Sequence, residues 1–315
     1  MSPIRALTSV LSPAGERGRL SVLIFHRVLS RPDPIFPNEV DAAKFDQMMG
    51  WVKSWFNVLP LHEAVRRLTT STLPSRAVAI TFDDGYADNY SVALPILQRH
   101  GLTATIFVAT GFLDGGRMWN DTIIESVRAC SLQVLDLSSE SLGNHSIASY
   151  AQKQAAIGAI IGQIKYLPVD RRSEMTIKIA QLAQVSPPDD LMMTSAQVRD
   201  VSRAGMQIGA HTVSHPILAK LDLNQARREI VDGKTQLEEL LGQRIGLFAY
   251  PNGKPGTDYL PEHPTLVREI GFDAAMSTAW GAADRSTDLF QMPRFTPWDR
   301  TKLRFGLRLA RNLRN

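Results

Sequence analysis

Asp83 and Asp84 stand side by side in the stretch TFDDGYADNY, behind a hydrophobic run and just ahead of Gly85. Carboxylates held close in a buried place repel each other and are costly unless something compensates them, and a cation would do so. A second stretch, HTVSHP, sets His211 and His215 four residues apart, so that one helical turn or a tight loop brings both imidazoles to one side. Two imidazoles and one carboxylate make three protein ligands, the number catalytic zinc commonly has while keeping a position open for water. Either pattern alone is weak, because aspartates at strand ends often cap turns and paired histidines are usually ordinary polar residues. After separate strands, the two together point to a cation site in which one Asp is a ligand and the other accepts a proton from water. Adjacent side chains in a regular strand point to opposite faces, and Gly85 is expected to relax that constraint so that both carboxylates reach one cleft.

The elements that must position these groups alternate between strand and helix. Strands are read at 20–28, 77–85, 103–110, 206–212, 245–251, 273–278 and 291–297, and helices at 42–56, 89–101, 194–205, 224–242 and 263–271. Gly101 is expected to close the second helix and Asp88 to cap its start, while Thr194 or Ser195 opens the third. The stretch 119–186 lacks strong strand signals and reads as a mostly helical insertion. Repeated strand–helix units imply parallel strands with right-handed crossovers, in a barrel or an open sheet. In both, polar groups that follow strands gather at the C-terminal strand ends, and His26, Asp83, Asp84, His211 and Asn252 all do so.

TFDDGYADN, HTVSHP and FAYPNG together resemble the polysaccharide deacetylases, carbohydrate esterase family 4 with its NodB-type homology domain, over roughly 20–298. The resemblance implies an α/β fold, a distorted (β/α) barrel of about seven parallel strands with a helical insertion at about 119–186. It also implies a divalent metal, usually Zn2+, and removal of acetyl groups from N-acetylated sugars. Carried over by motif, Asp83 is the catalytic base and Asp84, His211 and His215 are the metal ligands. Asn252 stands where the family's oxyanion donor is a backbone N–H. The family's usual acid, a histidine after a C-terminal strand, has no counterpart here, since the last histidine, His263, falls in a helical stretch. His26, in IFHRV after the first strand, resembles the acid of a circularly permuted subgroup and is assigned that role. The arginine that often precedes the Pro-Tyr-Gly turn is also missing; Arg294, in MPRF, is the substitute partner for Asp83, with a surface salt bridge as its alternative. Tyr86, Trp119, Tyr250, Trp280 and Trp298 are candidate sugar platforms, although such aromatics are more often core or rim residues.

The chain has 315 residues, 44% of them hydrophobic and 21% charged, an ordinary globular balance with length for a full core. One cysteine, Cys130, excludes an internal disulfide. The opening stretch 1–19 reads as an extension without a secretory signal, which suits a cytoplasmic protein, extending to the inner face of the membrane. No apolar run reaches membrane-spanning length. The tail 300–315 carries six Lys/Arg and no acid, whereas residues 1–299 hold 29 basic and 31 acidic side chains. Wound as a helix (299–315), the tail puts Arg304, Arg308 and Arg311 on one side and Leu303, Phe305, Leu307, Leu309 and Leu313 on the other. The expectation is a helix docked on the body; the alternative is peripheral membrane contact. Nothing in the chain carries a nucleic-acid motif. The expected substrate is an N-acetylated glycan or a lipid-linked sugar. Two other functions fit less well: hydrolysis of a non-sugar amide or cyclic imide or ureide, and metal-free carbohydrate binding.

Overall fold

A computed structural model describes residues 3–299 and 301–314; Met1, Ser2, Arg300 and Asn315, the last two part of the basic tail, lie outside the described residues. The near-continuous apolar runs of the sequence become strands buried on both faces. In chain order the elements are α1 (Pro3–Leu11), β1 (Leu20–Phe25), α2 (Ala42–Trp55), β2 (Asn57–Val58), α3 (Leu61–Thr69), β3 (Ala77–Phe82), α4 (Leu94–His100) and β4 (Thr105–Val108). They continue with α5 (Trp119–Ala129), β5 (Val134–Leu137), β6 (Gly143–Ser146), α6 (Tyr150–Ile164), α7 (Val169–Leu182), α8 (Ser195–Arg203) and β7 (Gln207–Ala210). The last are α9 (Leu223–Leu241), β8 (Leu247–Ala249), α10 (Glu262–Glu269), β9 (Ala274–Met276) and α11 (Lys302–Asn312).

Seven parallel strands form one curled sheet in the order β1-β3-β4-β7-β8-β9, with β2 paired to the lower part of β3. This is the distorted (β/α) barrel expected of the sequence, with one change in its strand set. The seventh strand is the short β2, not residues 291–297. That extended segment bridges the open side of the barrel instead: Met292 N–H donates to Ala275 O, and Phe295 N–H donates to Val22 O. Pro293 has no N–H to donate, which breaks the ladder where a full strand would need it. Arg294 rides on this closing segment.

Local signals account for several helix boundaries. Thr194 and Asp222 both make reciprocal capping boxes, with Gln197 and Gln225. The 89–101 helix ends at Gly101 as expected, but its first turn, 89–93, is π-helical. Asp88 does not cap it. Its carboxylate accepts from Arg27 Nε at 2.8 Å and from Val28 N–H at 3.0 Å, partners from β1's loop that outcompete the helix end.

Residues 32–39 and 114–192 form a second compact unit. It holds α5, α6 and α7 around its own core, with Ile157, Ile160 and Ile179 among its fully buried side chains. It also holds an antiparallel hairpin, β5–β6, that the sequence reading lacked.

The tail helix α11 is docked. Phe305, Leu309 and Leu313 are buried, and Phe305 packs near Trp51, Trp55 and Phe295. The apolar side predicted from the helical wheel is divided, because Leu303 and Leu307 stay exposed. Among the described residues no helix is long and apolar enough to cross a membrane.

Candidate active site

The strand order brings the chemistry-bearing motifs together. β3 delivers Asp83 and Asp84, its neighbour β1 delivers His26, and β7, two strands along, delivers His211 and His215. β8 follows with Asn252. Asp83 N–H is held by Phe25 O at 2.9 Å, so His26 and Asp83 leave adjacent strand ends together.

Asp84 is where the strand stops being a strand. Its φ is 77°, and that of Gly85 is 87°, so the left-handed turn begins one residue earlier than Gly85 alone would place it. A Cβ at Gly85 would lie 3.2 Å from Val108 Cγ1, which reserves that position for glycine. The turn is what lets two consecutive carboxylates serve one site. Thr212, His215 and Asn252 also have positive φ, so four of the nine non-glycine residues in this conformation among the described residues sit in the three motifs. Strain, about 1–3 kcal/mol for the β-branched Thr212 and less for Asp84, His215 and Asn252, is thus concentrated in the motifs that carry the chemistry.

Asp84, His211 and His215 each offer one ligand atom, all within 4.8 Å of one another. Asp84 Oδ1 lies 3.4 Å from the Nε2 atoms of both histidines, too far for a hydrogen bond of ordinary strength. It is buried and has no hydrogen-bond partner. His211 Nδ1 lies 2.8 Å from Ala249 O and must donate to that carbonyl, which leaves Nε2 as the atom facing Asp84. An unpartnered carboxylate oxygen facing two imidazole nitrogens suits a divalent ion, so these residues fit a metal.

The electrostatics agree. Burial pushes the Asp84 carboxyl up, but the facing His211, with His215 and His26 nearby, outweighs it and holds it below the usual range. Burial pushes His215 down to about 4, helped by the charges of His211 and His26, so it is a neutral donor at pH 7. Burial also opposes charge on His211, yet the facing Asp84 and Asp83 carboxylates raise it above its ordinary value.

Asp83 has a different environment. Arg294 donates to both its oxygens, Nη1 to Oδ1 at 2.7 Å and Nη2 to Oδ2 at 2.8 Å, and both side chains are buried. The surface salt bridge considered for Arg294 is therefore corrected to a buried bidentate pair, made possible by the closing segment that carries the arginine inward. Arg294 is itself fixed by Nε donating to Ser277 O at 2.8 Å. Burial works against charge on Asp83, but Arg294 and His211 more than offset it and the carboxyl is held below its ordinary value.

His26 is exposed, while its main-chain oxygen accepts from Asn89 Nδ2 at 2.9 Å. Asp88 pins the next two residues, and burial outweighs Arg27 in raising its carboxyl. Asn252 turns its main chain at φ 57°, its oxygen accepts from Thr278 Oγ1, and its N–H has no acceptor among the described residues.

The aromatic candidates divide. Tyr250 is fully buried, stacked on Tyr259 at 3.9 Å, with its hydroxyl donating to Phe290 O, so it is a core residue and not a sugar platform. Tyr86 is also buried, with the Arg27 guanidinium 4.8 Å above its ring. Both follow buried strand ends and keep their rings out of solvent. Trp119 belongs to the second unit, half-buried with Arg172 above its ring. Trp280 and Trp298 are exposed.

Glu229, on α9, was not singled out in the sequence. Its carboxylate accepts from Val213 N–H at 3.0 Å, Ser214 N–H at 2.8 Å and Ser214 Oγ at 2.6 Å, and so grips the loop between the two histidines. Only its place fourteen residues after His215, on the inward side of a helix, hinted at this. Glu229→Gln is expected to weaken affinity for a divalent ion by about 10–100-fold while barely moving the melting temperature. Competition with a chromophoric chelator measures it, and an unchanged affinity removes the gripping role.

Fold and site together define a curled parallel barrel with a cluster of three donors, able to hold a cation, at the C-terminal ends of its strands. The polysaccharide deacetylase family model matches residues 70–275, and the chain belongs to that family, whose chemistry is the removal of acetyl groups from sugars. A Bacillus subtilis (strain 168) protein named "Putative polysaccharide deacetylase YxkH" is 23% identical over 289 residues, spanning 91% of this chain and 74% of that protein. The Streptococcus pyogenes deacetylase PplD, solved in complex with acetate, superposes with a TM-score of 0.62 at 19% identity, covering 94% of this chain and 98% of its own. IcaB from Ammonifex degensii gives 0.60 at 18% identity, covering 96% and 99%. At these identities the two structures show a shared fold.

Proposed function

We propose that this chain removes the N-acetyl group from an N-acetylhexosamine unit of a glycan or glycan precursor. The observation that carries the reading is a division of labour between neighbouring carboxylates. Asp84 faces two histidines with an unpartnered oxygen, while Asp83 is locked by Arg294. The choice of an amide is supported by a fold relative from Aggregatibacter actinomycetemcomitans described as a de-N-acetylase.

Asp84, His211 and His215 would hold a divalent cation, zinc in this proposal, which supplies Lewis acidity at the acetyl carbonyl and at the attacking water. Asp83 takes the proton from that water, and Arg294 keeps it ionised and aimed. The free Asn252 N–H donates to the oxyanion of the tetrahedral intermediate. His26 gives a proton to the departing amine as the C–N bond breaks, and its exposure lets it recover that proton from solvent. The products are acetate and the free amino sugar.

Acetate release from N-acetylglucosamine oligomers, measured with chelation and zinc add-back alongside metal analysis, tests the proposal. Chelation should abolish release and zinc should restore it. His215→Ala should purify with little metal and release no acetate, and stoichiometric zinc in that variant would reject its ligand role. Activity on small non-sugar amides with none on the oligomers would replace the sugar substrate with the amide reading.

A further inference from the structure

We propose that α1, α11 and Trp298 form a docking surface for a bilayer of anionic phospholipid. The two helices pack together closely: a Cβ at Gly306 would come within 2.9 Å of Ile4 Cγ1, so glycine there allows the approach. Each helix buries one face, Ile4 and Thr8 on α1 and Phe305 and Leu309 on α11. What they leave in solvent is unusually apolar. Val10 is 79% exposed, Leu303 64%, Leu307 49% and Leu7 41%, and Trp298, just before α11, is 76% exposed. Single exposed apolar residues need no explanation, but several on two adjoining helices do.

Charge selects the partner. Neither 3–11 nor 301–314 contains an acidic residue. Asp299 pairs with Arg308 at 2.6 Å. Arg5, Lys302, Arg304, Arg311 and Arg314 have no carboxylate partner among the described residues. Leucines beside unpaired arginines, with a tryptophan at the edge, match the layers of an anionic membrane surface, where apolar side chains enter the acyl boundary and cations meet phosphates. A second copy of the chain would set cation against cation, and a nucleic acid would leave the leucines and Trp298 in water. None of the residues of this surface takes part in the proposed reaction, so its test does not depend on that reaction.

Flotation of the intact chain with phosphatidylcholine vesicles, with and without roughly one-third phosphatidylglycerol, provides the test. Binding to the anionic vesicles should be at least about tenfold tighter than to the neutral ones, and should weaken as salt is raised. Leu303→Ser combined with Leu307→Ser should lower anionic-vesicle binding by about tenfold with an unchanged melting temperature, since both side chains are already in water. Asp83→Asn should bind vesicles like the wild type. Equal binding to both vesicle types, full binding by the double variant, or a dimer in sedimentation equilibrium that the double variant dissolves would each overturn the proposal.

Discussion

Asp83→Asn should lower kcat by about 10²–10⁴-fold while bound metal stays unchanged. The carboxamide keeps the shape of the side chain but cannot take a proton from water. Asp83 is not one of the three clustered donors, so metal content should hold. Acetate release and metal analysis on the same preparation separate the two properties. Loss of metal together with activity would move Asp83 into the ligand set. Full activity would end its assignment as base.

Arg294→Ala should damage both stability and turnover, and the two losses should depend on pH in a defined direction. The pair is buried on both sides, and removing one partner leaves a charge in a low-dielectric place, which costs about 3–5 kcal/mol. In the native protein the Asp83 carboxyl is held below its ordinary value of 3.8. The pair's stabilisation is therefore complete above that value and fades as the pH falls through the lower, folded one. Without Arg294, burial raises Asp83. The variant should then be most destabilised near neutral pH, where Asp83 must still be charged, and less so in acid, where it takes up a proton. For the same reason the acid limb of kcat/KM should move to higher pH. Melting curves and pH–rate profiles of both proteins test this. A limb that stays in place would leave Arg294 a purely structural role.

What could be read from the residues depended on how local the cause was. The apolar run ahead of Asp83 showed β3, and the Thr194 box showed α8, because both signals lie within a few residues of what they form. The barrel and its converging motifs followed from the order of such units. Asp88 misled, since its cap position was real but its partners, Arg27 and Val28, lie 61 and 60 residues away. Tyr250 misled because the chain leaves β8 after Ala249 and turns at Asn252, φ 57°, so strand alternation no longer says which residue reaches the site, and Tyr250 finds its partners, Tyr259 and Phe290, in the core. The left-handed backbone at Asp84 and His215 carries only a weak sequence signal, since Asp and His enter that region more readily than most residues but do not mark it as glycine does. It exists because surrounding hydrogen bonds impose it. The hairpin β5–β6 was missed because a four-residue alternation in β5 is too short to stand out and β6, GNHS, is polar with no buried residue. Glu229 was hidden for a similar reason, its role being set by the loop that α9 packs beneath.

Arg294 arrives on the segment that laces β9 to β1, and this ties chemistry to the order of synthesis. A ribosome-bound chain short of residue 294 already contains both aspartates, both ligand histidines and Asn252. Its Asp83 has no guanidinium beside it, and its barrel is unlaced. On the reading proposed here, hydrolytic competence is acquired late in synthesis, after every other site residue is in place, and it comes together with closure of the barrel. Nascent chains stalled before that segment emerges should be inactive even with metal supplied, and turnover should begin only once the lacing strand is free to insert.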